Sequence, residues 1–268
     1  MTSVLMPRVS PNWLRLREAA DAAARSAELV ARVRERFAGA DRLVIHDLGC
    51  GTGAAARWLA PQLPARQHWI MWDRDADLLG AAMSGKPAGV TGATRQRDIG
   101  TLSAADLAGA DLVTASALID ILTVAEIDAM AAACAGAGVP ALITLSVVGR
   151  VELSPADPFD AEVAAAFNAH QRRIVGGRAL LGPDAVAALD DAFGRHGMTT
   201  TLRPSPWELG ADDKDLVTPW FRDWLAAAVE HVPALGKPAD GYARRRLAEI
   251  AEGRLAVTVH HVDLLAMP

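Results

Sequence analysis

Lysine is nearly missing from this chain of 268 residues: only Lys86, Lys214 and Lys237 occur, and arginine supplies the remaining positive charge. That skew reads as a GC-rich coding bias and not as a functional signal. Long basic runs are missing too. Arg244, Arg245 and Arg246 form the densest cluster, and the formal net charge is -5. A surface that tracks phosphates carries more positive charge, so no nucleic-acid partner is expected. There are only two cysteines, Cys50 and Cys134. One sits in a glycine loop and the other in an alanine-rich helix, which excludes a disulfide framework and gives no metal site. Residues 1–11 contain no apolar signal core. One stretch, 129–149, is free of charge for long enough to suggest a membrane span. Gly136, Gly138 and Pro140 divide it into a helix end, a turn and a strand. A cytoplasmic protein with no membrane partner is expected. No internal repeat and no low-complexity tail is present.

What is there is alternation. Residues 12–37 read as one amphipathic helix, with Leu16, Ala20, Ala23, Ala27 and Val30 at helical spacing. Arg17, Asp21 and Arg25 follow one another at four-residue steps and are spaced to pair. From residue 42 the pattern becomes strand 42–48, helix 54–62, strand 68–72, helix 76–83, strand 94–99, helix 104–110, strand 111–118, helix 124–135 and strand 141–148. Such a βαβα series predicts a mostly parallel sheet covered on both faces. Beyond it come helices at 157–173 and 183–196 and a strand at 198–202. A helix capped by Thr218 with Pro219 in its first turn runs to 231. A helix at 239–251 and a terminal strand at 255–265 complete the chain.

The most informative segment is Asp47-Leu48-Gly49-Cys50-Gly51-Thr52-Gly53, which follows a strand and opens a helix. Glycines there let the backbone turn sharply and let a ligand approach the main chain. Asp73 closes the next strand, 73 − 53 = 20 residues past the last glycine. An acidic side chain at that place accepts hydrogen bonds from ribose hydroxyls. A dinucleotide loop has the spacing G-x-G-x-x-G and presents a helix N-terminus to pyrophosphate. Here the spacing is G-x-G-x-G, led by a carboxylate. Asp47 suits an ammonium group and repels a pyrophosphate.

The run HDLGCGTG, 46–53, resembles motif I of class I S-adenosylmethionine-dependent methyltransferases. WDRD at 72–75 is similar to the family's ribose-binding second strand. RDI at 97–99 resembles the segment whose acid meets the adenine amino group, and ADLVTASALID at 110–120 resembles the fourth strand and the motif after it. The likeness covers 42–148. It implies a Rossmann-like, doubly wound α/β fold of seven strands in the order 3-2-1-4-5-7-6, mostly parallel with the last strand antiparallel. It also implies S-adenosyl-L-methionine as cofactor and S-adenosyl-L-homocysteine as product. Asp47, Gly49, Gly51 and Gly53 would hold it at the loop, Asp73 and Arg74 at the ribose, Asp98 and Ile99 at the adenine, with Ser116 after the fourth strand. Trp72 is placed either to pack the ring or to fill the core, and Asp98 either binds or is a surface turn residue. In related enzymes an arginine on an N-terminal helix meets the cofactor's carboxylate. Arg17, one turn after Trp13, is the choice here. Pairing of both Arg17 and Arg25 with Asp21 is the competing reading.

Methyl transfer needs alignment and exclusion of water more than it needs a base, so its residue signature is weak. Ligands in open α/β sheets sit beyond the carboxyl ends of the strands. Two catalytic candidates follow. Asp120 either orients or deprotonates an acceptor, or else caps the helix near Thr123. His170, on the helix after the fifth strand, has a side chain that titrates near neutrality. The sequence divides into a helical cap at 1–40 and a domain at 41–268 with helical insertions near 150–180 and 204–253. The second insertion, with Trp207, Trp220 and Trp224, reads as a lid, a homodimer surface or a substrate wall. His260 and His261 lie on opposite faces of the last strand, which disfavours a metal pair. The leading reading is a methyltransferase acting on a small molecule. A nicotinamide-dependent oxidoreductase and a non-catalytic binding protein with the same fold are the competitors.

Overall fold

The computed structural model describes residues 9–64 and 66–268. The first eight residues, which belong to the segment read as lacking a signal core and to the expected cap, lie outside the described residues. In chain order the strands are β1 (Arg42–Leu48), β2 (Arg66–Asp73), β3 (Thr91–Gln96), β4 (Leu112–Ser116), β5 (Ala141–Ser154), β6 (Ile174–Val175), β7 (Arg178–Ala179), β8 (Thr199–Pro204), β9 (Trp207–Leu209) and β10 (Ala256–Met267). The helices are α1 (Pro11–Ala24), α2 (Ala27–Arg36), α3 (Ala54–Leu59), α4 (Ala76–Ser84), α5 (Val124–Ala137), α6 (Asp160–Gln171), α7 (Ala185–Arg195), α8 (Lys214–His231) and α9 (Gly236–Ala251).

β1 lies between β2 and β4 and is parallel to both. Its interior position explains its nearly unbroken apolar run, because both faces are covered. The sheet order is β3-β2-β1-β4-β5-β10-β8, with β10 antiparallel to β5 and β8. This is the expected seven-stranded winding with an antiparallel last strand. β9 adds an eighth strand beside the first half of β10. β6 and β7 form a separate two-stranded ribbon.

The helix read at 12–37 is two helices. The chain breaks at Arg25, whose ψ is 139°, and Ser26 caps α2 by accepting from the Leu29 amide. The Ser26 amide donates to Asp263 Oδ2 on β10 at 2.7 Å, so a distant strand fixes the break. The strand read at 94–99 lies earlier, and Ile99 begins a 3₁₀ turn instead. The helix read at 104–110 shrinks to a 3₁₀ turn, Ala104–Leu107. Pro219 is not at a helix start. α8 begins at Lys214 and continues through the proline, which forfeits one backbone bond while buried Leu216, Val217 and Phe221 hold the helix in place. The uncharged stretch 129–149 does divide, α5 ending at Ala137 and β5 starting at Ala141. Among the described residues no helix is long and apolar enough to cross a membrane.

β5 is longer than its apolar run suggests, and it is bent. Its register against β10 shifts twice, between Val262 and Leu264 and between Val259 and His261. Those shifts coincide with positive φ at Leu145 (57°) and Gly149 (75°). Bulges of this kind re-aim a strand. The second half of β5 therefore leaves the sheet with β10 and β9 and meets α1, α6, α8 and α9 in a separate apolar cluster. The stretches 150–180 and 204–253 thus pack on each other: Phe167 lies 6.5 Å from Trp224, and Tyr242 Oη donates to Asp160 Oδ1 at 2.6 Å.

Candidate active site

The loop after β1 is tied down before any ligand is considered. The Cys50 amide donates to Trp72 O at 2.9 Å, and the Gly53 amide donates to Cys50 O at 2.8 Å. Asp73 is oriented by two backbone amides: Oδ2 accepts from Gly51 at 3.0 Å and Oδ1 from Asp75 at 2.9 Å. The cap of α4 is Asp75, so Asp73 is free of that duty. At Gly51 (φ 54°) a side-chain carbon would stand 3.1 Å from Leu14, so the glycine lets α1 lie against the loop. Gly53 does something different. It sits left-handed at the start of α3, where an added carbon would come 3.2 Å from Ala82 Cα. It brings α3 and α4 together and does not line the cavity.

That cavity, about 270 Å³, lies between the loop, α1 and the ends of β2 and β4. Of the sequence-derived cofactor residues, Asp47, Gly49, Gly51, Asp73, Arg74, Asp98, Ile99, Ser116 and Arg17 line it, and Gly53 alone does not. Asp98 is exposed at its rim and accepts from the Gly100 amide at 2.9 Å. Trp72 is a core residue, its indole donating to His46 Nδ1 at 3.2 Å.

Two side chains in this wall are unsatisfied. Asp47 is 1 % exposed; its Oδ1 accepts from Thr114 Oγ1 at 2.8 Å, and its Oδ2 has no partner. Burial pushes its carboxyl up to about 7, against the opposing pull of Thr114 and Arg25. Arg25 is 5 % exposed and lies over Trp58 at 4.9 Å. Its Nη2 donates to Ser116 Oγ at 3.0 Å, while Nε and Nη1 have no partner. Arg17, the cation chosen from sequence, is already spent: its guanidinium meets both oxygens of Asp21 and stacks over Trp207 at 4.9 Å. The helix break turns Arg25 away from that pair and into the cavity wall. Sequence reasoning names both arginines and prefers Arg17, because one unbroken helix would set Arg25 beside Asp21. The available signal was Ser26 followed by Glu28, a helix start inside the run.

Residues 45–140 match the family model described as a methyltransferase domain. Over that stretch the chain is similar to a methyltransferase domain. S-adenosylmethionine is the methyl donor of that family. No curated protein matches the sequence. Among solved structures, the cyclopropane synthase MmaA2 from Mycobacterium tuberculosis is 12% identical, with a TM-score of 0.49, over 96% of this chain and 94% of that one. A putative methyltransferase from Bacillus halodurans is 15% identical, with a TM-score of 0.48, over 89% and 97%. Phosphoethanolamine N-methyltransferase 2 from Haemonchus contortus is 16% identical, with a TM-score of 0.44, over 96% of this chain and 57% of that one.

A second cavity, about 190 Å³, adjoins the first, and Trp13, Arg17 and Ala117 line both. Ala117 has a φ of 50°, an uncommon conformation for a residue with a side chain, and stands directly after β4. Asp120 lines this second cavity from the turn Ile119–Ile121. It does not cap α5, because Thr123 and Glu126 cap that helix reciprocally. Desolvation pushes the Asp120 carboxyl up, against its own amide and the field of Arg17. His170 lies outside both cavities. It borders a third hollow with Asp120 and Arg173, its ring 6.3 Å from that of His231, and burial pulls its pKa down. The buried histidine that does line the second cavity is His261, which faces Trp207 at 5.3 Å. His260 instead meets Glu152 at 3.1 Å. Among the described residues no group of three or more His, Cys, Asp and Glu is arranged to hold a metal ion.

Proposed function

We propose that this chain moves a methyl group from S-adenosylmethionine to a small-molecule acceptor. One observation carries the reading: Asp47 Oδ2 and Arg25 Nε and Nη1, opposite charges without partners, belong to the wall of a single cavity. Buried charged groups are costly unless paired. An α-amino-acid end group brings an ammonium and a carboxylate and satisfies both at once. A pyrophosphate would satisfy Arg25 alone and would lie among Asp47, Asp73 and Asp98. That charge pattern argues against the nicotinamide-dependent alternative.

When bound, the cofactor supplies an electrophilic methyl carbon on a sulfonium. The chain's own work is alignment and dryness. Asp47 holds the ammonium and Arg25 the carboxylate. Asp73, already oriented by two amides, offers its remaining lone pairs to ribose hydroxyls. Asp98 and Ile99 meet the adenine at the rim. α1 covers the loop through Leu14 and Trp13. Asp120 orients the acceptor from the neighbouring cavity. Calorimetric titration tests the reading: S-adenosylhomocysteine should bind and NADH should not. Binding of NADH alone would overturn it. Release of S-adenosylhomocysteine from S-adenosylmethionine against a metabolite panel then identifies the acceptor.

A further inference from the structure

The second cavity has walls unlike those of the first. Four of the chain's seven tryptophans, Trp13, Trp207, Trp220 and Trp224, line it together with Phe167. They come from α1, β9, α8 and α6, so the break after α1, the bulges in β5 and the two insertions all converge on one space. Core packing accounts for Trp207 and Trp224, which are 3 % and 2 % exposed. Trp13 and Trp220 also pack against that core cluster but stay half-buried, and both line the cavity. The rings of Trp220 and Trp224 stack on each other, 13° apart with centroids 5.6 Å from each other, so the half-buried Trp220 carries the outer face of the pair. Flat aromatic walls favour offset stacking with another ring.

Charge narrows the ligand further. Arg17 is paired with Asp21, and Arg150 is paired with Glu152. Asp120 is driven toward its neutral form by desolvation. His261 is neutral, since burial pulls its pKa down to about 3. Neither arginine of the cavity is therefore free to pair with an anionic acceptor. The cavity does offer hydrogen-bonding atoms. Trp224 Nε1, a donor, and His261 Nδ1 are buried without partners on residues more than nine-tenths buried. Gln171 Oε1, on a part-buried residue, is a third buried atom without a partner. Buried polar atoms are nearly always paired, so these mark places that a ligand's polar edge would fill. Size sets the last limit. A dry apolar cavity of ~150 Å³ holds benzene. One of about 190 Å³ holds one ring, or two fused rings with an edge left open.

Resting on the methyltransferase reading above, we infer that the acceptor is a neutral, planar aromatic or heteroaromatic molecule of one or two rings. It carries a hydroxyl or ring N–H and stacks on the outer face of Trp220. The test uses matched probes on the full chain with S-adenosylhomocysteine present: phenol against cyclohexanol, and 2-naphthol against decahydro-2-naphthol, followed by saturation-transfer NMR and calorimetry. At least one aromatic probe should bind tenfold or more tightly than its saturated counterpart. Trp220→Ala should weaken that probe at least tenfold and leave S-adenosylhomocysteine affinity within twofold, while Trp220→Tyr restores most of the loss. Equal binding of aromatic and saturated probes, no binding of either, or indifference to Trp220→Ala would overturn the inference while leaving methyl transfer intact. If wild-type protein failed to bind S-adenosylhomocysteine, the methyltransferase reading would fall instead. The probe pairs titrated alone would still decide the cavity's preference. Should Trp220→Ala not fold, seen as lost S-adenosylhomocysteine binding, Trp224→Phe takes its place. It keeps a ring but removes the N–H, and should weaken 2-naphthol more than naphthalene.

Discussion

Lowering the pH from 8 to 6 should weaken S-adenosylhomocysteine binding about tenfold, because Asp47 must be ionised to hold an ammonium. Its carboxyl, pushed up to about 7 by burial, is roughly nine-tenths ionised at pH 8 and one-tenth at pH 6. The ligand's ammonium stays protonated across that range. The dissociation constant then scales inversely with the ionised fraction, which amounts to about 1.4 kcal/mol. Groups facing Asp47 do not titrate in this window. Arg25 stays cationic, the Cys50 thiol is driven far up by burial, and His46 is held near 4. For the free protein the sign reverses. A carboxyl whose pKa rises on folding binds its proton more tightly in the fold. It therefore stabilises the fold fully below its unfolded pKa and loses that contribution as pH climbs toward 7. Isothermal titration across pH 6–8 measures the slope. Asp47→Asn supplies the control: binding should be weaker at pH 8 and flat with pH. A flat wild-type profile, or an equal slope in Asp47→Asn, would refute the assignment of the ammonium to Asp47.

Arg25→Ala should cost S-adenosylhomocysteine affinity about 10- to 100-fold, as expected for a lost charge-assisted hydrogen bond of ~1.5–3 kcal/mol. Arg17→Ala should cost less than about threefold, since Asp21 already occupies its guanidinium; a reversed order by calorimetry would return the carboxylate to Arg17. Gly53→Ala places a side chain at φ 82° against Ala82 and should destabilise the fold by about 1–2 kcal/mol, read as a lowered urea midpoint with an unchanged slope. Asp263→Asn sets an amide donor against a backbone donor and should cost about 1–3 kcal/mol by thermal or urea unfolding; unaltered stability would show that its three bonds do not matter.

The sheet and the loop were legible because their chemistry is local. A strand, three glycines and an acid at the next strand end occupy 32 consecutive residues, 42–73, and each element's period is visible within it. The boundaries that failed were set from afar. Nothing near residue 25 announces that Asp263 will hold the Ser26 amide, so the run 12–37 reads as one helix and Arg25 reads as a partner for Asp21. Once the helix breaks, four-residue spacing no longer applies, and Arg25 reaches Ser116 instead. The bulges at Leu145 and Gly149 were likewise hidden, since a bulge depends on the register of a strand more than a hundred residues later. The tryptophans of α8 were visible as one helical face. Which cavity that face would border depended on those bulges.

Asp263 ties these hidden features together. Its Oδ2 accepts from Ser26, fixing the break that turns Arg25 into the wall of the first cavity. Its Oδ1 accepts from Leu145 at 2.8 Å, at the bulge that starts β5 on its bend, and from Ser205 Oγ at 2.6 Å, in the turn that leads to Trp207. One buried carboxylate on the antiparallel strand therefore positions Arg25 in the wall of the first cavity, the bend of β5, and Trp207 in the wall of the second. A carboxylate serves here because it presents only acceptors to three donors arriving from three elements, which an amide of the same shape does not. The two cavities are thereby built on a common support, and their relative placement follows from the bonds of a residue that lines neither.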